Sequence, residues 1–145
     1  MICDSNGYPL HFELTAGQVN ESTRFDSLLV GVDEQLTNGR GKPVAWPVAI
    51  GGDMSYRANW IDEYLLELGI KPVIPTQPHQ DPEKRLVDFD REVYRDRNIV
   101  ERLIGWLKES RRIFSRFEKS AKNFAGMLTL ACIRQYLRYD VKLSF

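Results

Sequence analysis

Apolar and polar positions repeat with different periods along this chain, and the changes of period mark out its elements. Ile2 to Cys3 and Leu10 to Leu14 read as two short strands joined by Asp4-Ser5-Asn6-Gly7, where Asn-Gly supplies the positive φ values of a tight hairpin. Asn20 or Ser22 can cap a helix running to about Leu36, with Phe25, Leu28, Leu29, Val32 and Leu36 on its packing face and the glycine-rich Thr37 to Pro43 ending it. Val44 to Ile50 is mostly apolar but interrupted by Pro47, which predicts a buried strand beginning near Val48 and broken by Gly51-Gly52 just before Asp53. A helix from about Asn59 to Leu68, closed by Gly69, leads to a short strand bracketed by prolines, Lys71 to Pro75, and this alternation predicts a parallel pair. Thr76 to Asp90 is polar, contains Pro78 and Pro82, and reads as a mobile loop. A long helix is expected from about Arg91 to Phe114. Ser120 can cap a last one from Ala121 to Leu137, with Phe124, Met127, Leu128, Leu130 and Ala131 packing inward.

At 145 residues, with 43% apolar and 11% aromatic content, the chain suits one folded domain. No apolar run approaches a membrane span and the N-terminus has no secretory signal pattern, so a cytoplasmic protein is expected. Cys3 and Cys132 stand far apart without a second pair, and His11 and His79 are isolated, so neither a disulfide framework nor a His/Cys metal site is indicated.

Charge changes this picture. The formal net charge is zero, yet residues 1–94 hold eight basic against fifteen acidic side chains, whereas 95–122 hold nine against four. Within that basic stretch, a 3.6-residue period puts Tyr94, Arg97, Glu101, Lys108 and Arg112 on one stripe and Ile99, Val100, Leu103, Trp106 and Leu107 opposite. One face packs, and the other presents a lone carboxylate among bases. Such a face can neutralise DNA phosphates, or it can be merely solvated.

The spacing of that stripe is more specific. Tyr94, two residues, Arg97, three residues, Glu101, six residues and Lys108 together resemble the signature around the last acidic residue of DDE-type insertion-sequence transposases. The resemblance extends through Asp4-Ser5-Asn6-Gly7-Tyr8-Pro9-Leu10 and Leu14-Thr15-Ala16-Gly17-Gln18 to the basic run Arg111-Arg112-Ile113-Phe114-Ser115-Arg116-Phe117-Glu118-Lys119. It implies an α/β, ribonuclease H-like mixed sheet with flanking helices. It also implies three carboxylates that hold two divalent ions, Mg²⁺ or Mn²⁺. On this match Asp53 is the second carboxylate and Glu101 the third, Arg97, Lys108, Arg111, Arg112, Arg116 and Lys119 contact DNA, and Tyr94 supports the site or contacts DNA with them. The residues alone leave alternatives open: Asp53 can be an N-cap after Gly-Gly, and Arg97 can pair within its helix with Glu101.

In the family the first carboxylate lies on a strand ahead of the hairpin, and here Met1 already falls inside that hairpin. The resemblance therefore implies a C-terminal part of a catalytic domain over residues 1–145, without the first central strand and without an upstream DNA-binding region. Asp4, a turn residue, is a poor substitute for the missing ligand. The expected function is metal-dependent cleavage and strand transfer in DNA transposition, inactive in the chain alone. Its partners would be the element's terminal inverted repeats, target DNA, and further copies of itself or the N-terminal transposase part, with no membrane. The alternative is a fragment that binds DNA or transposase without chemistry and regulates transposition. A general nuclease on the same core fits the spacing less well.

Overall fold

The computed structural model describes residues 1–35, 41, 42, 44–115 and 119–142. The chain divides into two compact units, Met1–Thr15 with Asn98–Phe145 and, between them in sequence, Ala16–Arg97.

The first unit begins with a hairpin, as expected, but its second strand starts at Pro9 and ends at His11 rather than running from Leu10 to Leu14. Strands β1 (Ile2–Cys3) and β2 (Pro9–His11) pair antiparallel with an irregularity at Ile2/Cys3. The turn is fixed by Asp4, whose Oδ1 accepts from the backbone N–H of Asn6 at 2.9 Å and of Tyr8 at 2.8 Å. Gly7 has φ +87°, a backbone region that favours glycine, and a Cβ there would lie 3.2 Å from Ile99 Cγ1, closer than ordinary packing. At the other end of the unit's sequence the Tyr136 hydroxyl donates to the Pro9 carbonyl at 2.7 Å, and its ring stacks on Tyr8.

The helical part of this unit departs from expectation. The predicted continuous helix over 91–114 is three pieces: α3 (Arg91–Arg95), which belongs to the second unit, α4 (Asn98–Lys108) and α5 (Arg111–Phe114). At the first break Asp96 N–H turns to the Val93 carbonyl and Arg97 N–H to that of Tyr94, i to i−3 bonds that tighten and end the turn. Short polar Asp96 and Asn98 favour such local alternatives to the helix. At the second, Glu109 and Ser110 repeat the i to i−3 pattern, and Ser110 adopts an extended backbone. Helix α6 (Ala121–Lys142) runs beyond the expected Leu137. Leu103, Leu107, Ile113, Leu128, Ala131 and Cys132 form the core, with Met1, Cys3, Phe12 and Phe124 against it. Leu130, expected inside, is 59% exposed, because it lies about 200° around the helix from Leu128.

In the second unit Asn20 caps a single 3-10 turn, Glu21–Arg24, that runs into α1 (Phe25–Gln35), where Phe25, Leu28, Leu29 and Val32 are buried as expected. Leu36 and residues 37–40 and 43, expected to end this helix, lie outside the described residues. Strand β3 (Ala49–Gly51) pairs parallel with β4 (Lys71–Val73), joined through α2 (Asn59–Glu67), as the alternation predicts. Strand β3 starts one residue later than expected and is only half-buried at best, with Val48 86% exposed. Helix α2 ends in a Schellman arrangement: Gly69 has φ +73° and donates to Leu66, while Ile70 donates to Leu65 at 2.8 Å. Ile61, Leu65, Ile70, Val73 and Ile74 are fully buried.

The fold is thus a mixed α/β arrangement with two separate two-stranded sheets among the described residues, β1-β2 and β3-β4.

Candidate functional site

The parallel pairing carries on for one bond past β3, with Gly52 N–H donating to the Val73 carbonyl at 3.2 Å. Asp53 comes next, at the C-terminal end of a parallel strand pair, where open α/β sheets commonly place their sites. It caps a single 3-10 turn, Met54–Tyr56, its Oδ1 accepting from the Ser55 N–H at 2.9 Å and from the Ser55 hydroxyl. The N-cap role open to Asp53 from sequence is therefore real. It engages one carboxylate oxygen, and Oδ2 accepts no hydrogen bond from the described residues.

Glu101 lies exposed in the first turn of α4, where a carboxylate interacts favourably with the helix dipole. Lys108, two turns on, is exposed on the same side, opposite buried Leu103 and Leu107. The helix breaks shorten the five-residue stripe to this pair. Tyr94 is on α3, Arg97 is in the turn after it, and Arg112 is on α5. The Arg97 guanidinium sits over the Tyr94 ring, 5.2 Å from its centroid, and Phe89 meets the same ring edge-on. Of the other cations expected at DNA, Arg111 and Lys119 are exposed; the Arg112 side chain and Arg116 lie outside what is described. Asp53 belongs to the second unit and Glu101 to the first. Among the described residues no three His, Cys, Asp or Glu side chains gather as a metal-holding group. Asp4 is spent on its turn.

Sequence reasoning missed a buried charged cluster beside Asp53. Asp62 on α2 is 1% exposed, and Arg85 grips it with a two-pronged fork, Nε to Oδ2 at 2.9 Å and Nη2 to Oδ1 at 3.0 Å. The third nitrogen of that guanidinium donates to the Ile74 carbonyl. Arg57, 7% exposed, places Nη1 3.3 Å from Asp62 Oδ2 and donates from Nη2 to Asn59 Oδ1 at 3.0 Å. The one signal in the sequence was Asp62 itself, a carboxylate between Ile61 and Leu65 on the apolar stripe of α2. Residues 76–90, read from sequence as a loop, make contacts through Arg85, through Gln77 Nε2 donating to the Met54 carbonyl at 3.1 Å, and through a 2.8 Å Lys71–Asp90 ion pair. Asp90 also caps α3, and the Lys71 bond chiefly holds its carboxyl below the usual value.

A family model described as a transposase DDE domain matches residues 1–135, and the chain belongs to that family. It is 30% identical over 132 residues to a putative transposase for insertion sequence element IS402 from Burkholderia cepacia, a match covering 91% of this chain and 58% of that protein. It is 28% identical over 138 residues to a putative transposase for insertion sequence element IS6501 from Brucella ovis, covering 94% of this chain and 95% of that one. No solved structure matches significantly. Among the described residues, no helix is long and apolar enough to cross a membrane.

Proposed function

We propose that this chain supplies two of the three catalytic carboxylates, Asp53 and Glu101, of an insertion-sequence transposase that cleaves and joins DNA with divalent metal ions. The observation that carries the reading is membership of the DDE family over residues 1–135, within which both carboxylates fall. Two features of the structure agree with it. Asp53 stands at a strand end with one oxygen uncommitted among the described residues, and Glu101 is exposed on a helix whose other face is core.

The donor chemistry fits a hard cation, since carboxylate oxygens are what Mg²⁺ and Mn²⁺ prefer. Bound there, such ions would activate the attacking hydroxyl and neutralise charge on the departing oxygen. Asp53 and Glu101 hold the ions, and a third carboxylate completes the set. Lys108, Arg111, Arg112, Arg116 and Lys119, with Tyr94 and Arg97, hold DNA phosphates without reading sequence. The DNA in question is the element's terminal inverted repeats and the target, and synapsis of two ends calls for more than one transposase copy.

A second reading is a fragment that binds DNA or transposase and regulates transposition without chemistry. The discriminating experiment joins the chain to an upstream segment bearing the first aspartate and measures Mg²⁺-dependent cleavage of an element end. Cleavage that Asp53→Asn or Glu101→Gln abolishes, with DNA binding intact, is the expected result. Cleavage retained in either variant removes that residue from the metal site, and DNA binding without any cleavage supports the regulatory reading.

A further inference from the structure

The cluster around Asp62 is not an arrangement that stability alone favours. Two buried guanidiniums share one carboxylate, and Arg85 occupies both of its oxygens in hydrogen-bonding geometry. Arg57 is left with a 3.3 Å ion pair, and its Nε and Nη1 are buried without a hydrogen-bond partner among the described residues. Buried donors lacking acceptors cost free energy, and each such case calls for an explanation.

What this arrangement does is fix the surroundings of Asp53. The backbone N–H of Arg57 closes the turn that Asp53 opens, donating to Met54 at 3.1 Å, while Tyr56 N–H donates to the Asp53 carbonyl. Because the Asp53 carboxylate is itself tied to Ser55 in that turn, its direction follows the turn, and the turn follows Arg57. Arg85 grips the other side. Its bond to the Ile74 carbonyl lies one residue past Val73, the acceptor for Gly52. Asp62 is thus the common anchor for the turn after β3 and the end of β4, the two backbone segments that flank Asp53.

We infer that Arg57, held through Asp62 and Arg85, is a positioning residue that aims the Asp53 carboxylate for a divalent cation. This rests on the reading of Asp53 as a metal ligand. Side chains that orient a ligand from behind typically alter metal affinity about 10- to 100-fold when removed.

The test is a Mn²⁺ titration of the chain joined to the upstream segment that bears the first aspartate, read as paramagnetic broadening of the Ser55 and Tyr56 amide signals, together with hydrogen exchange at the Tyr56 and Arg57 amides. Arg57→Gln leaves Asp62 in the fork of Arg85 and is expected to fold. It should exchange those two amides faster and need about 10- to 100-fold more Mn²⁺ for half-maximal broadening. Arg57→Lys keeps the charge without the fork and should fall between; if Arg57→Gln does not fold, this variant decides alone, and an affinity equal to that of the unsubstituted chain overturns the inference. Where the unsubstituted chain shows no broadening that Asp53→Asn removes, the metal role of Asp53 fails and the inference falls with it. Where it binds and Arg57→Gln binds equally well with unchanged exchange, the positioning role alone is refuted.

Discussion

Burial pushes the Tyr56 hydroxyl up from 10.0 to about 12, and the carboxylates of Glu21 and Asp53 add to the shift. The ring packs against Phe25 with centroids 5.8 Å apart, so the phenol of the Asp53 turn is half inside the protein. Between about pH 10 and about pH 12 the unfolded chain loses this proton and the folded chain keeps it. The unfolded state then binds fewer protons, so this group's contribution, fully present below pH 10, is lost as pH rises through 12. Tyr56→Phe is therefore expected to lose stability less steeply than the parent across that window. Urea midpoints measured at both ends of it check this, and parallel losses in the two proteins would contradict the account.

Among the elements, those punctuated by glycine and proline were legible in the sequence. Asn6-Gly7 marked the hairpin, Gly69 closed α2, and the strand-helix-strand order gave the parallel pair β3-β4. The breaks on either side of α4 were not legible, because the apolar period runs through residues 91–114 without a proline and the interruptions come from short polar residues, Asp96, Asn98 and Ser110. Of the candidate site, Asp53 is proposed from the family resemblance and Glu101 from that resemblance and the spacing around it. Arg85 was invisible: it sits in a polar segment with no period, and its partner is 23 positions away. The same breaks bear on DNA binding. Helices α4 and α5 offer exposed Lys108 and Arg111 from separate pieces rather than as one rigid stripe. Replacing Arg111, Arg112 and Arg116 together by Ala should weaken DNA binding across unrelated sequences and lower the slope of log affinity against log salt by up to about 3, roughly one for each phosphate that is no longer neutralised. A slope unchanged by the triple substitution would mean that this run is a solvated face.

For the whole molecule, the family match spans both units, and the chain covers 58% of the length of the Burkholderia cepacia relative and 95% of the Brucella ovis one. Each unit has its own buried residues and brings one carboxylate of the proposed centre, Asp53 from Ala16–Arg97 and Glu101 from the hairpin-and-helix unit. The central claim is that these two carboxylates serve the same metal ions. Fe²⁺ substituted for Mg²⁺ tests it most directly, because with ascorbate and peroxide it generates radicals that cut the polypeptide only near the bound ion. Backbone cuts close to residue 53 and residue 101 are expected together, both suppressed by excess Mg²⁺ and both lost in Asp53→Asn. Cuts near only one of the two, or cuts near residue 101 that persist in Asp53→Asn, would contradict a shared metal centre.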